Sequence, residues 1–369
     1  MSLGLHRLFR RQIDLNDLPV CNQPWNTLYV QWDGRITQPC CHGPHSLGDL
    51  NELGWEKVWN GKAFQMLRRQ IASKTPKGTC VECLEGRRHF ADYVGPFTQV
   101  LLPESKKQNF ERARMHCAKR DTILQSKPYV LILDIGSKCN LRCRKCFIYG
   151  QERLPELGFM SMETFQGISP IFPDAIKVLC TGVGESTLNP DFEIMVKMLT
   201  EHGCWISFTT TGNPLDVALC KRLVGYKVDE IIFSIDSIDP ETYGYHHRGG
   251  SLEKVMDNIR TIHETKEVFK SYQPHLTWVL VGMKSNLEEL NAAVQVAASM
   301  GFRSFFVEQL QPALQGHRKE YWDFYSKQNV IESPEDIRFA AACLGGGRKS
   351  AKDAGIIFAS SYDSVLKLP

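Results

Sequence analysis

Tyr129-Val130-Leu131-Ile132-Leu133-Asp134, a turn at Gly136-Ser137, then Cys139-Asn140-Leu141-Arg142-Cys143-Arg144-Lys145-Cys146: this stretch decides the fold. An apolar, β-branched run bounded by Gly and Ser reads as a strand leading into a loop. The loop carries a Cys-x3-Cys-x2-Cys spacing, so three thiolates point inward over one short turn of backbone. Thiolates are the preferred ligands of iron–sulfur clusters, and cubane clusters normally take four. Three on one loop leave one iron without a protein ligand, open to a substrate or cofactor. Structural zinc is the competing reading, but it wants four closed ligands, usually as two separated pairs. The spacing, the strand and the turn favour a cluster.

Outward from that loop the pattern is regular. Short β-branched or aromatic runs at 176–180, 205–210, 230–235, 276–282 and 304–308 alternate with amphipathic segments at 192–202, 217–224, 252–265 and 287–300. Such alternation predicts a parallel sheet or an α/β barrel, with six strands once the Tyr129 run is included. Ser333-Pro334-Glu335-Asp336 is a helix start, with Ser as cap, Pro at the first position and acids in the first turn. That helix, to about Leu344, and a strand near 356–359 finish the chain.

Bulk properties bound the function classes. The 369 residues allow two or three domains, and a 43% apolar fraction with seven Trp is ample for a packed core. A formal charge of +3 is too small to argue for nucleic acid or an acidic membrane surface. No apolar stretch reaches the length of a membrane span, and residues 1–11 lack the apolar core of a secretion signal. Thirteen cysteines in a chain this long are not a disulfide scaffold; metal ligation in a reducing cytoplasm fits them better.

The cysteine loop after a first strand resembles the signature of the radical S-adenosylmethionine (SAM) enzymes. The resemblance implies a partial (β/α)6 TIM-like barrel and a 4Fe–4S cluster on Cys139, Cys143 and Cys146. SAM would chelate the open iron, and its reductive cleavage would release a 5′-deoxyadenosyl radical. The residue before the last cysteine, usually aromatic in that family, is Lys145 here, with Phe147 next in line to supply a ring. After the second strand, Thr181-Gly182-Val183-Gly184-Glu185-Ser186 is similar to the family's Gly-Gly-Glu-Pro turn in Gly184 and Glu185, and departs from it at Val183 and Ser186. Gly lets backbone approach a cofactor closely, and the Glu185 carboxylate would pair with the methionyl ammonium. Thr211 stands where the family's Thr-Asn-Gly turn has Asn. Ser234 and Asp236, two apart, share one face of the fourth strand and suit ribose hydroxyls. Arg248, before Gly249-Gly250, corresponds to an arginine set against the cofactor's carboxylate.

The N-terminal region holds a second cysteine set. Asp33-Gly34 between two alternating runs predicts a hairpin that brings Cys21 and Cys40 towards one end. After a helical stretch at 55–71 comes Cys80-Val81-Glu82-Cys83, a metal pair open to zinc or a cluster on spacing alone. Pro24-Trp25, Asp33-Gly34, Pro39-Cys40-Cys41-His42, Gly48-Asp49-Leu50, Trp59-Asn60-Gly61 and Leu67-Arg68 resemble the SPASM module of radical SAM enzymes. That implies one auxiliary 4Fe–4S cluster on Cys21, Cys40, Cys80 and Cys83, with Cys41 as the fallback for Cys40. Such modules normally follow the barrel, whereas this one precedes it.

The expected organisation is therefore a cysteine-rich α+β module over 1–95, a charged, solvated helix or linker over 96–127, and the barrel with its final helix and strand over 128–369. The expected function is radical SAM chemistry that oxidises or cross-links a peptide or small molecule, with an auxiliary cluster assisting and flavodoxin or ferredoxin supplying electrons. Glu308, at the end of the sixth strand, is the candidate catalytic proton acceptor. The alternative is a non-catalytic iron–sulfur or zinc-binding scaffold that retains the fold.

Overall fold

A computed structural model describes residues 21–38, 46–73 and 102–366. Cys40, Cys41, Cys80 and Cys83 lie outside the described residues. The chain divides into two compact units, Met1–Leu133 with Ser161–Val178 and His202–Cys204, and Asp134–Met160 with Leu179–Glu201 and Trp205–Pro369.

In the first unit, β1 (Thr27–Val30) pairs antiparallel with β2 (Arg35–Thr37), and β2 pairs antiparallel with β3 (Ser46–Asp49). The expected hairpin turn is present: Gly34 takes φ 92°, a conformation that costs glycine little. β1 also pairs in parallel with β4 (Val130–Leu133), the strand that leads to the cysteine loop. Where one helical stretch was expected over 55–71, two helices form, Trp55–Trp59 and Lys62–Ala72. The break has a cause. Asn60 leaves the helix so that its amide can donate to the Leu124 carbonyl (2.9 Å) and accept from the Leu124 N–H (2.9 Å).

The charged segment before β4 forms the helix Glu104–Lys119, and it is not solvated all round. Lys106, Asn109, Phe110, Ala113, His116 and Cys117 are buried at helical spacing. Three of those positions are polar or charged, which hides the stripe from a hydrophobicity reading. Their partners make burial tolerable: Lys106 Nζ donates to the Ala175 (2.6 Å) and Gly203 (2.8 Å) carbonyls, and Asn109 exchanges two hydrogen bonds with the Lys127 backbone.

The second unit is a parallel α/β array. β6 (Trp205–Thr210), β7 (Glu230–Ser234), β8 (His275–Gly282), β9 (Ser304–Gln309) and β10 (Ile357–Ser360) pair in that order, all parallel. The strand β5 (Lys177–Cys180) is shared between the two units. Helices Val217–Gly225, Leu252–Phe269 and Leu290–Ser299 return the chain between strands, the first two capped by Asp216 and Ser251. Along β7 and β9 burial alternates: Ile231, Phe233, Phe305 and Val307 are buried, whereas Ser234 and Glu308 on the opposite face are half-buried. One face is sealed; the other keeps room.

The last helix, Pro334–Ala354, runs ten residues past its expected end. Gly345-Gly346-Gly347 reads as a breaker, but a Cβ on Gly346 would come within 2.7 Å of Asn291 and one on Gly347 within 2.8 Å of Leu290. These glycines let two helices approach closely, and the helix stops only at Gly355, with φ 71°. Among the described residues no helix is long and apolar enough to cross a membrane.

Candidate active site

The cysteine loop is fixed at several points within the second unit. Ser137 N–H donates to the Gly158 carbonyl (2.9 Å), and Glu185 N–H donates to the Lys138 carbonyl (2.9 Å). On either side of Cys143, Arg142 N–H donates to the Arg248 carbonyl (3.0 Å) and Arg144 N–H to the His246 carbonyl (3.0 Å). A Cβ on Gly184 would collide with the backbone of Ser137 and Lys138, and one on Gly182 with the Asp134 carboxylate. Both glycines are thus required for the turn after β5 to lie against the cysteine loop.

The three thiols are half-buried and each meets a nitrogen. Leu141 N–H donates to Cys139 Sγ (3.4 Å), Tyr149 N–H lies 3.5 Å from Cys146 Sγ, and His247 Nδ1 lies 3.7 Å from Cys143 Sγ. Burial pushes the Cys139 thiol up to about 11 and the Cys143 thiol to about 12. Among the described residues no three His, Cys, Asp or Glu side chains already stand as a metal cage. The donor chemistry nevertheless fits a cluster: soft sulfur ligands on one loop, with N–H groups directed at sulfur, and protons that metal binding displaces.

Beside the loop, carboxylates line up at strand ends. Glu185 is 1% exposed, and its Oε2 accepts from Thr211 N–H (2.7 Å) and Thr211 Oγ1 (2.9 Å) while its Oε1 accepts from Thr187 Oγ1 (2.6 Å). The turns after β5 and β6 therefore meet at this carboxylate. Asp236 is fully buried, 2.6 Å from Lys145 Nζ and 2.9 Å from His247 Nε2. Burial alone would raise its carboxyl, yet Lys145 and His247 hold it well below the usual carboxylate range. Lys145 Nζ also reaches Ser234 Oγ (3.3 Å), so Ser234 and Asp236 do share a face, with a lysine already on it. His247 stacks on Tyr243, ring centroids 4.6 Å apart and 4° from parallel. At the end of β9, burial raises the Glu308 carboxyl, with Lys145 and Asp236 as its electrostatic neighbours. Among the described residues Glu308 has no hydrogen-bond or ion-pair partner for its carboxylate.

The remaining expected site residues make other contacts. The Phe147 ring packs edge-on against His317 at 4.5 Å, and its carbonyl lies 3.0 Å from His317 Nε2. Arg248 is exposed and lines a cavity with Arg142 and Arg144. Cys21 is half-buried in the first unit; its expected companions Cys40, Cys80 and Cys83 fall outside the described residues. His247 was missed in the sequence, and Lys145 was noted only as a departure. The signal that links them is modest: a cation inside the cysteine motif and a carboxylate at a strand end.

Residues 133–295 match the model of the radical SAM superfamily, and residues 21–84 match SPASM, an iron–sulfur cluster-binding domain. The chain carries a radical SAM domain and, before it, a SPASM domain. Together these domains imply 4Fe–4S clusters and SAM binding. Among curated relatives, a tungsten-containing aldehyde ferredoxin oxidoreductase cofactor-modifying protein of Pyrococcus furiosus is 29% identical over 49% of this chain and 51% of its own length. An AdoMet-dependent heme synthase of Methanosarcina barkeri is 22% identical over 66% of this chain and 72% of its own. A GTP 3′,8-cyclase of Peptoclostridium acidaminophilum is 26% identical over 35% and 41%. The chain thus spans about half the length of the first of these relatives. Among solved structures, SuiB of Streptococcus suis bound to S-adenosylmethionine has TM-score 0.54 at 16% identity, covering 85% of this chain and 67% of that one. anSMEcpe with bound AdoMet has TM-score 0.50 at 18% identity over 64% and 66%. At these identities the likeness is one of fold: a parallel α/β array in the manner of the radical SAM partial barrel.

Proposed function

We propose that this chain is an enzyme that cleaves SAM reductively at a 4Fe–4S cluster and uses the radical to modify a peptide or small-molecule substrate. The observation that carries the reading is the backbone bond from Glu185 N–H to the Lys138 carbonyl, which locks the Gly184-Glu185 turn against the cysteine loop. In this reading Cys139, Cys143 and Cys146 hold the cluster, and Cys21, Cys40, Cys80 and Cys83 hold an auxiliary one. Bound together, cluster and SAM supply a carbon-centred radical able to abstract hydrogen.

The chain's own residues have distinct tasks. Gly184 allows the close approach, and Glu185 offers the methionyl ammonium a carboxylate pre-oriented by Thr211 and Thr187. Ser234 and Asp236 flank the ribose side, with Lys145 neutralising Asp236 so that a charged carboxylate stays buried without a cofactor present. Glu308, raised by burial and lacking a partner among the described residues, is suited to take a proton from a substrate radical. Phe147 is the first ring after the motif in sequence, and Arg248 is exposed, with its carbonyl bonded to the cysteine loop.

The test is anaerobic reconstitution with iron and sulfide, reduction, and addition of SAM. Formation of 5′-deoxyadenosine is the expected result, lost when Cys139, Cys143 and Cys146 are changed to Ala. A protein that binds four irons per cysteine set yet never yields 5′-deoxyadenosine would instead be an iron–sulfur scaffold. The peptide side of the proposal draws on the structure of SuiB bound to the precursor peptide SuiA, TM-score 0.52 and 15% identical.

A further inference from the structure

Arginine gathers around Cys143. Arg142 and Arg144 flank it in sequence, and the Arg142 N–H donates to the Arg248 carbonyl (3.0 Å), which adds a third. These three and Arg318, all exposed, line a cavity of about 370 Å³, within the range of small-molecule pockets. Glu320 is the acidic residue of its lining. Among the described residues none of the four arginines forms an ion pair.

Three of the guanidinium groups are fixed without being neutralised. Arg142 Nη1 donates to the Cys139 and Leu141 carbonyls (2.8 Å each), and Arg144 Nε donates to the Tyr245 carbonyl (3.1 Å). Arg318 donates to the Gln151 (2.8 Å) and Tyr149 (2.7 Å) carbonyls. Ring faces add to this: Arg142 lies 4.2 Å from the centre of the Tyr149 ring, and Arg144 4.3 Å from that of Tyr245. A guanidinium carries five N–H donors in a planar fork, so one or two backbone bonds leave the rest for a ligand. The same cavity has an apolar part, made by the buried Tyr321 and Phe324 and by the exposed Leu154.

This charge does not suit SAM. The cofactor is a net cation, its sulfonium and ammonium outweighing one carboxylate, and a single arginine fork satisfies a carboxylate. Four cations against one glutamate call for several negative charges on one group. A phosphate ester brings about two, spread over three acceptor oxygens that match guanidinium forks. We propose that the cavity binds a small phosphate ester at a site separate from that of SAM, with the phosphate on the arginines and an apolar or aromatic body on Tyr321, Phe324 and Leu154. Because Cys143 lines the same cavity, the bound ester lies beside the cysteine loop.

The experiment is calorimetric titration of the reconstituted full-length protein at low salt, with phenyl phosphate as the probe and inorganic phosphate and citrate for comparison. Phenyl phosphate should bind saturably and about tenfold or more tighter than inorganic phosphate, since only the ester reaches the apolar part. It should also bind more tightly than citrate, and its affinity should fall as salt is added. Arg144→Gln combined with Arg318→Gln should weaken phenyl phosphate about tenfold or more while SAM affinity stays within about twofold. Glu320→Gln alters one exposed side chain and should strengthen phenyl phosphate about two- to fivefold, which keeps the test decisive if the arginine variant fails to fold. Four results would each overturn the proposal. Phenyl phosphate that does not bind saturably, or binds no better than inorganic phosphate, removes the ester. Citrate that binds as tightly removes the preference for phosphate. An equal loss of SAM affinity in the arginine variant assigns those arginines to the cofactor. Unchanged phenyl phosphate affinity in Glu320→Gln shows that the cavity's charge does not hold the ligand.

Discussion

Arg68 in the first unit and Lys145 in the second are both cations held largely out of solvent, and the two are handled differently. In the first unit Arg68 is 0% exposed; its Nε donates to the Pro24 carbonyl (2.8 Å), its Nη1 to the Thr122 carbonyl (2.9 Å), and its guanidinium lies 4.5 Å over Trp59 and 5.1 Å over Phe64. No carboxylate pairs with it among the described residues, and burial pulls it down to about 9. In the second unit Lys145 is paired 2.6 Å from the fully buried Asp236, with His247 and Ser234 within reach of the same group. Carbonyls and rings have one way to be satisfied. A lysine, a carboxylate and a histidine have several, and a ligand can redistribute them. The first arrangement is glue; the second is a site.

Removing each cation separates the two roles. Arg68→Leu should be the costlier change, since it leaves the buried Pro24 carbonyl and the half-buried Thr122 carbonyl without their donor at up to about 1–3 kcal/mol each. A net loss of about 3 kcal/mol in the urea transition of the first unit is expected, with iron on the Cys139–Cys146 loop untouched. A loss below about 0.5 kcal/mol would show that water or a neighbouring donor takes over both carbonyls. Lys145→Met should cost somewhat less, about 2 kcal/mol, because His247 remains beside Asp236. Its signature is different: SAM affinity should change along with stability, whereas Arg68→Leu should alter stability alone. Equal effects of the two variants on SAM affinity would erase the distinction drawn between them.

That distinction was half visible in the sequence. The strands at 130–133, 177–180, 205–210, 230–234, 275–282 and 304–309 lie within a residue or two of the expected runs, because their β-branched cores are short and bounded by turns. Three features escaped for physical reasons. The helix Glu104–Lys119 buries Lys106 and Asn109, so no apolar stripe marked its inner face. Helix Pro334–Ala354 runs through three glycines that serve packing against Leu290 and Asn291. His247 gave no sign of its position, since contact with Cys143 spans 104 residues and depends on how the 246–248 segment bonds to the cysteine loop. The cysteine loop itself was legible because its chemistry lies in spacing alone; the Lys145–Asp236 pair, 91 residues apart, was not.

Within the second unit, Glu185 and Asp236 invite a finer comparison, for both are buried carboxylates, but among the described residues only Asp236 forms an ion pair. Glu185 accepts from Thr211 and Thr187 instead, which leaves its charge available to a cationic ligand. Glu185→Gln removes a charge-assisted hydrogen bond worth about 1.5–3 kcal/mol, so SAM affinity should fall roughly tenfold or more while iron content holds. Asp236→Asn should instead disturb Lys145 and His247 first, appearing as lost stability with a smaller change in affinity. If the two variants exchange these signatures, the ammonium sits at Asp236.

The smallest effect should come from Glu308, whose carboxyl burial raises and which lacks a partner among the described residues. A carboxyl whose folded pKa exceeds its unfolded value of about 4.3 binds its proton more tightly in the native state. Stability from that proton is fully present below about pH 4 and is lost as pH rises through the folded pKa. Glu308→Gln cannot lose a proton, so it should match the unmutated protein below about pH 4 and melt at a higher temperature at pH 7. Activity should run opposite to stability: if Glu308 takes a proton during turnover, product formation falls on the order of 10²-fold while SAM cleavage to 5′-deoxyadenosine continues. A Gln variant that gains stability at pH 7 and still forms product at the normal rate would reduce Glu308 to a desolvated bystander. The same stability gain with uncoupled cleavage would mark it as the group that carries the comparison from a satisfied interior to a reactive one.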